Sequence, residues 1–336
     1  MTSRNKSKSG DEGDGGETIE FDINNYKFDS LQDLINLTMD YCRSNTKRQK
    51  RGRLKLHKLP LILEELIQLN ELIGLEKLKR QLLYQILYYL DDNDKMLMHT
   101  VIEGPPGSGK TTVAGLMGII YSKIGILKKK KFRILSRADL IGEYLGETTQ
   151  KTIEALESCR NGVAFIDEAY SLGNPDSRGD SYSKEAIDTL NQFLLENKDD
   201  FICIIAGYKR ELEECFFSKN PGLRRRFPWV FTIEPYTSEN LADIFYLKLG
   251  SGTGRWTCSL DKSSIVKLFS KNMQYINNNG GDIEILLQFA KTHYIRRNFG
   301  KEKINKLEQE DIDYGFSELI SPRKENISPP PFLMYT

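Results

Sequence analysis

The sequence predicts an α/β fold, a doubly wound parallel sheet followed by a small C-terminal α-helical domain. Three observations carry this reading. Five short apolar runs (Met96–Ile102, Phe132–Leu135, Val163–Ile166, Phe201–Ala206 and Trp229–Ile233) alternate with stretches of helical periodicity, the pattern of buried parallel strands covered on both faces. Directly after the first run stands the glycine-rich turn Gly104-Pro105-Pro106-Gly107-Ser108-Gly109-Lys110-Thr111, followed by an apolar helix. After Pro235 no strand-like run follows; Ser238–Leu249, Ser263–Met273 and Asp282–Arg297 read as helices between polar turns.

Taken in order, the first 18 residues offer almost nothing to bury and are expected to be disordered. Ser30 with Asp33 makes a capping pattern for a helix whose Leu31, Leu34, Ile35, Thr38 and Cys42 share one face. The basic run Lys47–Arg53 has no interleaved aromatic residue, so it reads as a solvated linker rather than a nucleic-acid contact. A helix from Leu61 is interrupted at Leu72-Ile73-Gly74-Leu75, and a second runs through Leu78, Leu82 and Ile86. The helix after the glycine-rich turn starts near Thr112 and carries Val113, Leu116, Met117 and Ile120. Lys128–Lys131 is an exposed connector, and helices are predicted at Thr148–Cys159, around Ala186–Leu194 and near Glu211–Phe217. The expected organisation is a tail (1–18), a helical segment with basic linker (19–60), the α/β domain (61–235), the helical domain (236–320) and a loose Pro-rich tail (321–336).

Composition excludes several classes. With 336 residues, 28 % charged and a net charge of +1, nothing global draws the chain to nucleic acid or anionic lipid. The five cysteines form no C-x-x-C pair and the three histidines are scattered, which argues against a disulfide framework or a zinc site. No apolar stretch has membrane-spanning length and the N-terminus lacks the apolar run of a signal peptide, so a cytoplasmic, reducing location is expected.

The turn carries the chemistry. Gly104, Gly107 and Gly109 let the backbone curl with N–H groups inward, a nest for phosphate oxygens, and the following helix adds its positive end. Lys110 can reach β- and γ-phosphates, and the Thr111 hydroxyl can ligate Mg²⁺. Binding of a nucleoside triphosphate follows, with Pro105, Pro106, Ser108 and Thr112 completing the loop. The run Val163–Ile166 ends in Asp167-Glu168, at the strand end where ligands of open α/β sheets collect. Asp167 is suited to hold Mg²⁺ through its water shell, and Glu168 to orient and deprotonate the attacking water, which argues for hydrolysis rather than binding alone.

Together with Asp139-Leu-Ile-Gly-Glu-Tyr144-Leu-Gly-Glu-Thr, Ile166-Asp-Glu-Ala-Tyr-Ser-Leu, Ile205-Ala-Gly-Tyr-Lys209 and Asn220-Pro-Gly-Leu-Arg-Arg-Arg-Phe227, these motifs resemble the AAA+ ATPases. They narrow it to the CbbX/SpoVK-like branch, over Leu72 to Arg297. The resemblance implies ATP as cofactor and a homo-oligomeric, usually hexameric, ring with ATP between neighbours. It implies an arginine finger at Arg226, with Arg224 a second candidate, acting on the adjacent subunit. Tyr144-Leu145-Gly146 matches the aromatic pore loop, Gly173–Ser183 stands where a second pore loop is expected, and Ile73-Gly74 matches the adenine-pocket segment. Two positions depart from the family. Tyr208 occupies the strand-end site usually held by Asn or Thr, and Gly281 falls where the helical lid often has an arginine. The expected function is Mg²⁺-dependent ATP hydrolysis that remodels or threads a protein partner of unknown identity through a ring pore. Neither membrane nor nucleic acid is an expected partner. The rivals are a DNA-directed motor or loader using Lys47–Arg53, and a nucleotide-gated assembly protein without a worked substrate.

Overall fold

A computed structural model describes residues 22–44, 54–91, 97–129, 131–144, 146–173, 180–251, 255–302 and 304–327. The N-terminal tail, the basic run Lys47–Arg53, Leu145 and residues 174–179 of the expected second pore loop lie outside them.

Helix α1 (Leu31–Arg43) opens with the expected capping box: the Ser30 N–H donates to Asp33 Oδ2 at 2.8 Å and the Asp33 N–H to Ser30 Oγ at 3.4 Å. It packs on α2 (Leu63–Glu71) and α3 (Glu76–Leu90). Cys42, expected on the buried face, is exposed, and Leu37 is buried instead. Being covered from two sides widens the buried stripe beyond a single helical row. Leu31, Leu34 and Leu59 share one core with Leu66, Leu82 and Val113, so the described part of the N-terminal segment is built into the α/β body.

All five strands pair in parallel: β1 (Thr100–Glu103), β2 (Phe132–Leu135), β3 (Val163–Ile166), β4 (Ile202–Gly207) and β5 (Trp229–Thr232), in the order β2-β3-β4-β1-β5. Strands β1, β3 and β4 are buried throughout, which explains their unbroken apolar wording. Alternate residues serve the two faces. Ile102, Phe165 and Ile204 pack with α1–α3 and α4 (Lys110–Lys123). Val101, Ala164 and Cys203 face the other layer, with α5 (Arg137–Leu140), α6 (Glu147–Glu157) and α7 (Asp180–Glu196). In register, Glu103 stands opposite Gly207 and Ile166 opposite Ile205, so the carboxyl ends of β1, β3 and β4 lie side by side.

The helix expected near Glu211–Phe217 is irregular: a single turn, α8 (Lys209–Glu211), then a wide π turn over Leu212–Phe216. Both Phe216 and Phe217 are buried at this widened turn.

The lid comprises α9 (Ser238–Gly250), α10 (Lys262–Asn272), α11 (Gly280–Arg297) and α12 (Gln309–Ile327), with a short parallel pair of β6 (Thr257–Cys258) and β7 (Lys306–Leu307). Helix α12 corrects the expected loose tail: the chain is helical across Ser321 and Pro322 to Ile327. What holds it is Arg323, whose guanidinium makes two 2.7 Å bonds to the buried Asp282 carboxylate on α11. Arg297 pairs with buried Asp311 at 2.7 Å, while Arg296 is exposed. All five cysteines are free thiols. Among the described residues no helix is long and apolar enough to cross a membrane.

Candidate active site

The carboxyl ends of β1, β3 and β4 open into a cavity of about 270 Å³. Its lining includes Pro106 to Thr112, the acidic pair Asp167 and Glu168, and Tyr208. The sheet register is what gathers residues that stand up to about a hundred positions apart. Gly109 (φ 84°) ends the turn in a left-handed conformation, and α4 starts on the next residue.

Lys110 Nζ donates to the carbonyls of Gly104 at 3.1 Å and Pro105 at 2.9 Å, and lies 5.4 Å from the centre of the Tyr208 ring. Burial pushes its ammonium below the ordinary lysine range, against the opposing pull of Asp167 and Glu168. The Thr111 hydroxyl donates to Asp167 Oδ2 at 3.0 Å. The other carboxylate oxygen, Oδ1, accepts the Glu168 N–H at 3.0 Å. Glu168 itself has φ 48°, rare for a residue with a side chain.

The donor set fits Mg²⁺. The Thr111 hydroxyl and the Asp167 carboxylate, 3.0 Å apart, are hard oxygen donors of the kind Mg²⁺ takes, and would hold it directly or through its water shell. Among the described residues no group of three His, Cys, Asp or Glu could hold a metal alone, so remaining ligands would come from phosphate and water.

Other expected site residues stand apart. Ile73 and Gly74 do not line this cavity; Gly74 packs on Tyr236, at a distance where an added Cβ would sit 3.2 Å from the ring. Tyr144 is 68 % exposed, in a turn held by its own N–H donating to Glu147 Oε2 at 3.2 Å and continuing through Gly146; Leu145 is outside the described residues. The triplet Arg224–Arg226 forms a 3₁₀ turn ahead of β5. Arg224 reaches Glu213 at 3.5 Å and lies over the Phe217 ring at 4.7 Å, yet its Nη1 has no hydrogen-bond partner. The Nε of Arg226 likewise has none. Arg225, which the motif comparison did not single out, is the exposed member.

Sequence reasoning also missed Tyr170. Its ring stacks on Tyr208 at 5.6 Å and 22°, and it lines the cavity. Burial first, then the Glu168 carboxylate, pushes its hydroxyl up to about 12. An aromatic two residues after a catalytic-type acid was the available signal. Asn279 and Tyr236, which hydrogen-bond to the loop backbone, gave none, because they are distant in sequence.

Residues 100–233 match the family described as ATPase family associated with various cellular activities (AAA). A cfxQ-like protein of Acanthamoeba polyphaga mimivirus is 37 % identical over 325 residues, covering 93 % of this chain and 78 % of the viral protein. Stage V sporulation protein K of Bacillus subtilis is 37 % identical over 53 % of this chain and 57 % of its own length. Protein CbbX of Cereibacter sphaeroides is 38 % identical over 54 % of this chain and 61 % of its own. The chain thus spans about six tenths of the two bacterial proteins. A parallel five-stranded sheet, a glycine-rich phosphate-type loop with an acidic pair beside it, and relatives of this kind make the chain an ATP-hydrolysing member of the AAA+ family, in its CbbX/SpoVK-like branch.

Proposed function

We propose that this protein uses Mg²⁺-dependent ATP hydrolysis, in a ring of like subunits, to pull on or remodel a protein partner. The observation that carries the remodelling half is Tyr144: a large aromatic side chain, 68 % exposed, on a short turn held by Glu147. Left in water it is a poor use of apolar surface, and it suits transient, sequence-tolerant contact with a polypeptide.

For hydrolysis, the N–H groups of Gly107 to Thr111 and the Lys110 ammonium receive the β- and γ-phosphates. Lys110 leaves the loop carbonyls of Gly104 and Pro105 to do so. Thr111 and Asp167 would hold Mg²⁺, which when bound draws charge from the phosphate oxygens. Glu168 orients the attacking water and takes its proton, and Tyr170 keeps that carboxylate in place. Tyr208, over Lys110, stands at the end of β4 where the γ-phosphate is read. Arg226 and Arg224, on the turn ahead of β5 whose motif matches the arginine finger, serve the neighbouring subunit's nucleotide. Ile73 and Gly74 border the adenine, through Tyr236. The free thiols of buried Cys159 and Cys203 suit a reducing, cytoplasmic setting.

Tyr144→Ala tests the reading. ATP turnover without substrate should stay within about two-fold of wild type, while unfolding of a tagged protein substrate captured on a Glu168→Gln trap should fall at least about ten-fold. Remodelling at the wild-type rate by Tyr144→Ala would reject the threading role and leave the assembly-protein reading.

A further inference from the structure

Every carbonyl from Gly104 to Ser108 accepts a hydrogen bond, and three of the donors come from outside the loop. Gly104 and Pro105 are held by Lys110, and Pro105 also by Ser108 Oγ at 2.7 Å. The Pro106 carbonyl accepts the Asn279 side-chain amide at 3.0 Å. Gly107 accepts the Gly280 N–H at 3.2 Å, and Ser108 accepts the Tyr236 hydroxyl at 3.2 Å. Asn279 and Gly280 open α11 of the lid, and Tyr236 lies just before α9.

In a planar trans peptide the C=O and the next N–H point in opposite directions. No cis bond occurs among the described residues. The donor on Pro106 therefore sets the direction of the Gly107 N–H. In the same way Gly280 sets the Ser108 N–H, and Tyr236 sets the Gly109 N–H. The two peptides before them lead into Pro105 and Pro106, which have no N–H to offer. The approach is close: a Cβ on Gly107 would lie 2.0 Å from the Asn278 carbonyl oxygen.

We propose that Asn279, the Gly280 N–H and Tyr236 are positioning groups that aim the three phosphate-binding N–H groups of the loop, so that the lid takes part in nucleotide binding through the loop backbone. The inference rests on the assignment of Gly104–Thr111 as the triphosphate site.

A second observation points the same way. Asn279 has φ 45° and ψ −114°, a conformation that glycine adopts more cheaply. Its turn is closed by the Gly281 N–H on Asn278 O at 2.9 Å. It is braced by the buried Asp282 carboxylate, which accepts the N–H groups of Asn277 at 2.8 Å and Asn278 at 2.9 Å. Arg323 on α12 holds that carboxylate in turn. A strained asparagine thus stands where glycine would be easier, and its amide is spent on the loop.

Asn279→Gly separates positioning from docking, since it removes the amide while relieving the strain. Tyr236→Phe removes one hydroxyl and little else. ADP affinity by titration calorimetry and KM for ATP should each weaken about three- to ten-fold in both variants, the value of one hydrogen bond. The rate at saturating ATP should change less than the KM, and the unfolding midpoint of Asn279→Gly without nucleotide should stay level or rise. Wild-type affinity in both variants, with Lys110→Ala losing ADP, would overturn the proposal alone. Wild-type ADP affinity in Lys110→Ala would overturn the site assignment and the proposal with it. A drop in affinity matched by a lower unfolding midpoint in both variants would reduce the contacts to lid docking and overturn the positioning role.

Discussion

Glu168 concentrates the residue-scale physics of the site. Its positive φ has a cost that the Asp167 carboxylate helps offset by accepting its N–H, and the same carboxylate receives the Thr111 hydroxyl. One acidic residue thus holds both the Thr111 hydroxyl and the backbone N–H of its neighbour. Glu168→Gln keeps the shape and the loop contacts but cannot take a proton, so ATP should bind with near-wild-type affinity while kcat falls about 10²- to 10⁴-fold; single-turnover hydrolysis checks this. A second residue reports on the core beneath. His99 is fully buried, its Nδ1 accepts the Cys203 N–H at 3.0 Å, and its Nε2 faces the Leu194 carbonyl at 3.4 Å. Burial pushes its pKa from 6.5 down to about 4. The ring is neutral when folded, so the unfolded chain binds the proton first as pH falls. Its contribution is complete above pH 6.5 and is lost toward pH 4, by about 3 kcal/mol in all. Urea unfolding across that range should show a steeper acid limb in wild type than in His99→Gln.

At the scale of elements, the lid is held by two buried carboxylates that face arginines. Burial alone would raise the Asp282 pKa; the Arg323 hydrogen bonds and two backbone N–H groups outweigh it and hold the carboxyl below its ordinary range. Asp311 is treated alike by Arg297, the Glu308 N–H and His293. Such pairs specify which surfaces meet, and removing one partner strands a buried charge. Arg323→Ala should therefore destabilise the lid by about 3 kcal/mol, with α12 the first helix to lose hydrogen-exchange protection. Uniform protection in that variant would mean α12 is held by its apolar contacts, Phe316 and Leu319 among them.

At the scale of the whole molecule, Lys110 is the one cationic side chain among the described residues that line the cavity, and the proposed hydrolysis needs a second on the outer side of the γ-phosphate. Lys110 sits on the loop itself, while Arg224 and Arg226 precede β5 and do not line the cavity. A neighbour is the natural source. Turnover per subunit should then rise with protein concentration until assembly is complete. A mixture of Arg226→Ala and Lys110→Ala subunits should regain activity that neither has alone, since each can supply what the other lacks; steady-state turnover of the mixture measures it.

Much of this was legible in the chain itself. Strand β3 begins and ends where its apolar run does, because a buried parallel strand must be apolar on both faces and short enough to end at a turn; the edge strand β2 has the expected bounds although Arg133 and Ile134 on it are exposed. The loop and the acidic pair were equally readable, since a phosphate nest needs glycine at set spacings and nothing else does the same work. The capping box at Ser30 was visible for the same local reason. What the sequence by itself determined, then, is what neighbouring residues decide between them: strand, turn, cap and the residue types of the site. The tertiary structure decided what depends on residues meeting from afar. That Pro322 ends up inside a helix, that Arg297 and Arg323 find Asp311 and Asp282, that Tyr170 stacks on Tyr208, and that a strained Asn279 grips the loop at Pro106 all follow from packing of elements far apart in the chain. Burial makes those polar partners compulsory, because an unpaired charge or amide away from water costs more than any local preference can return.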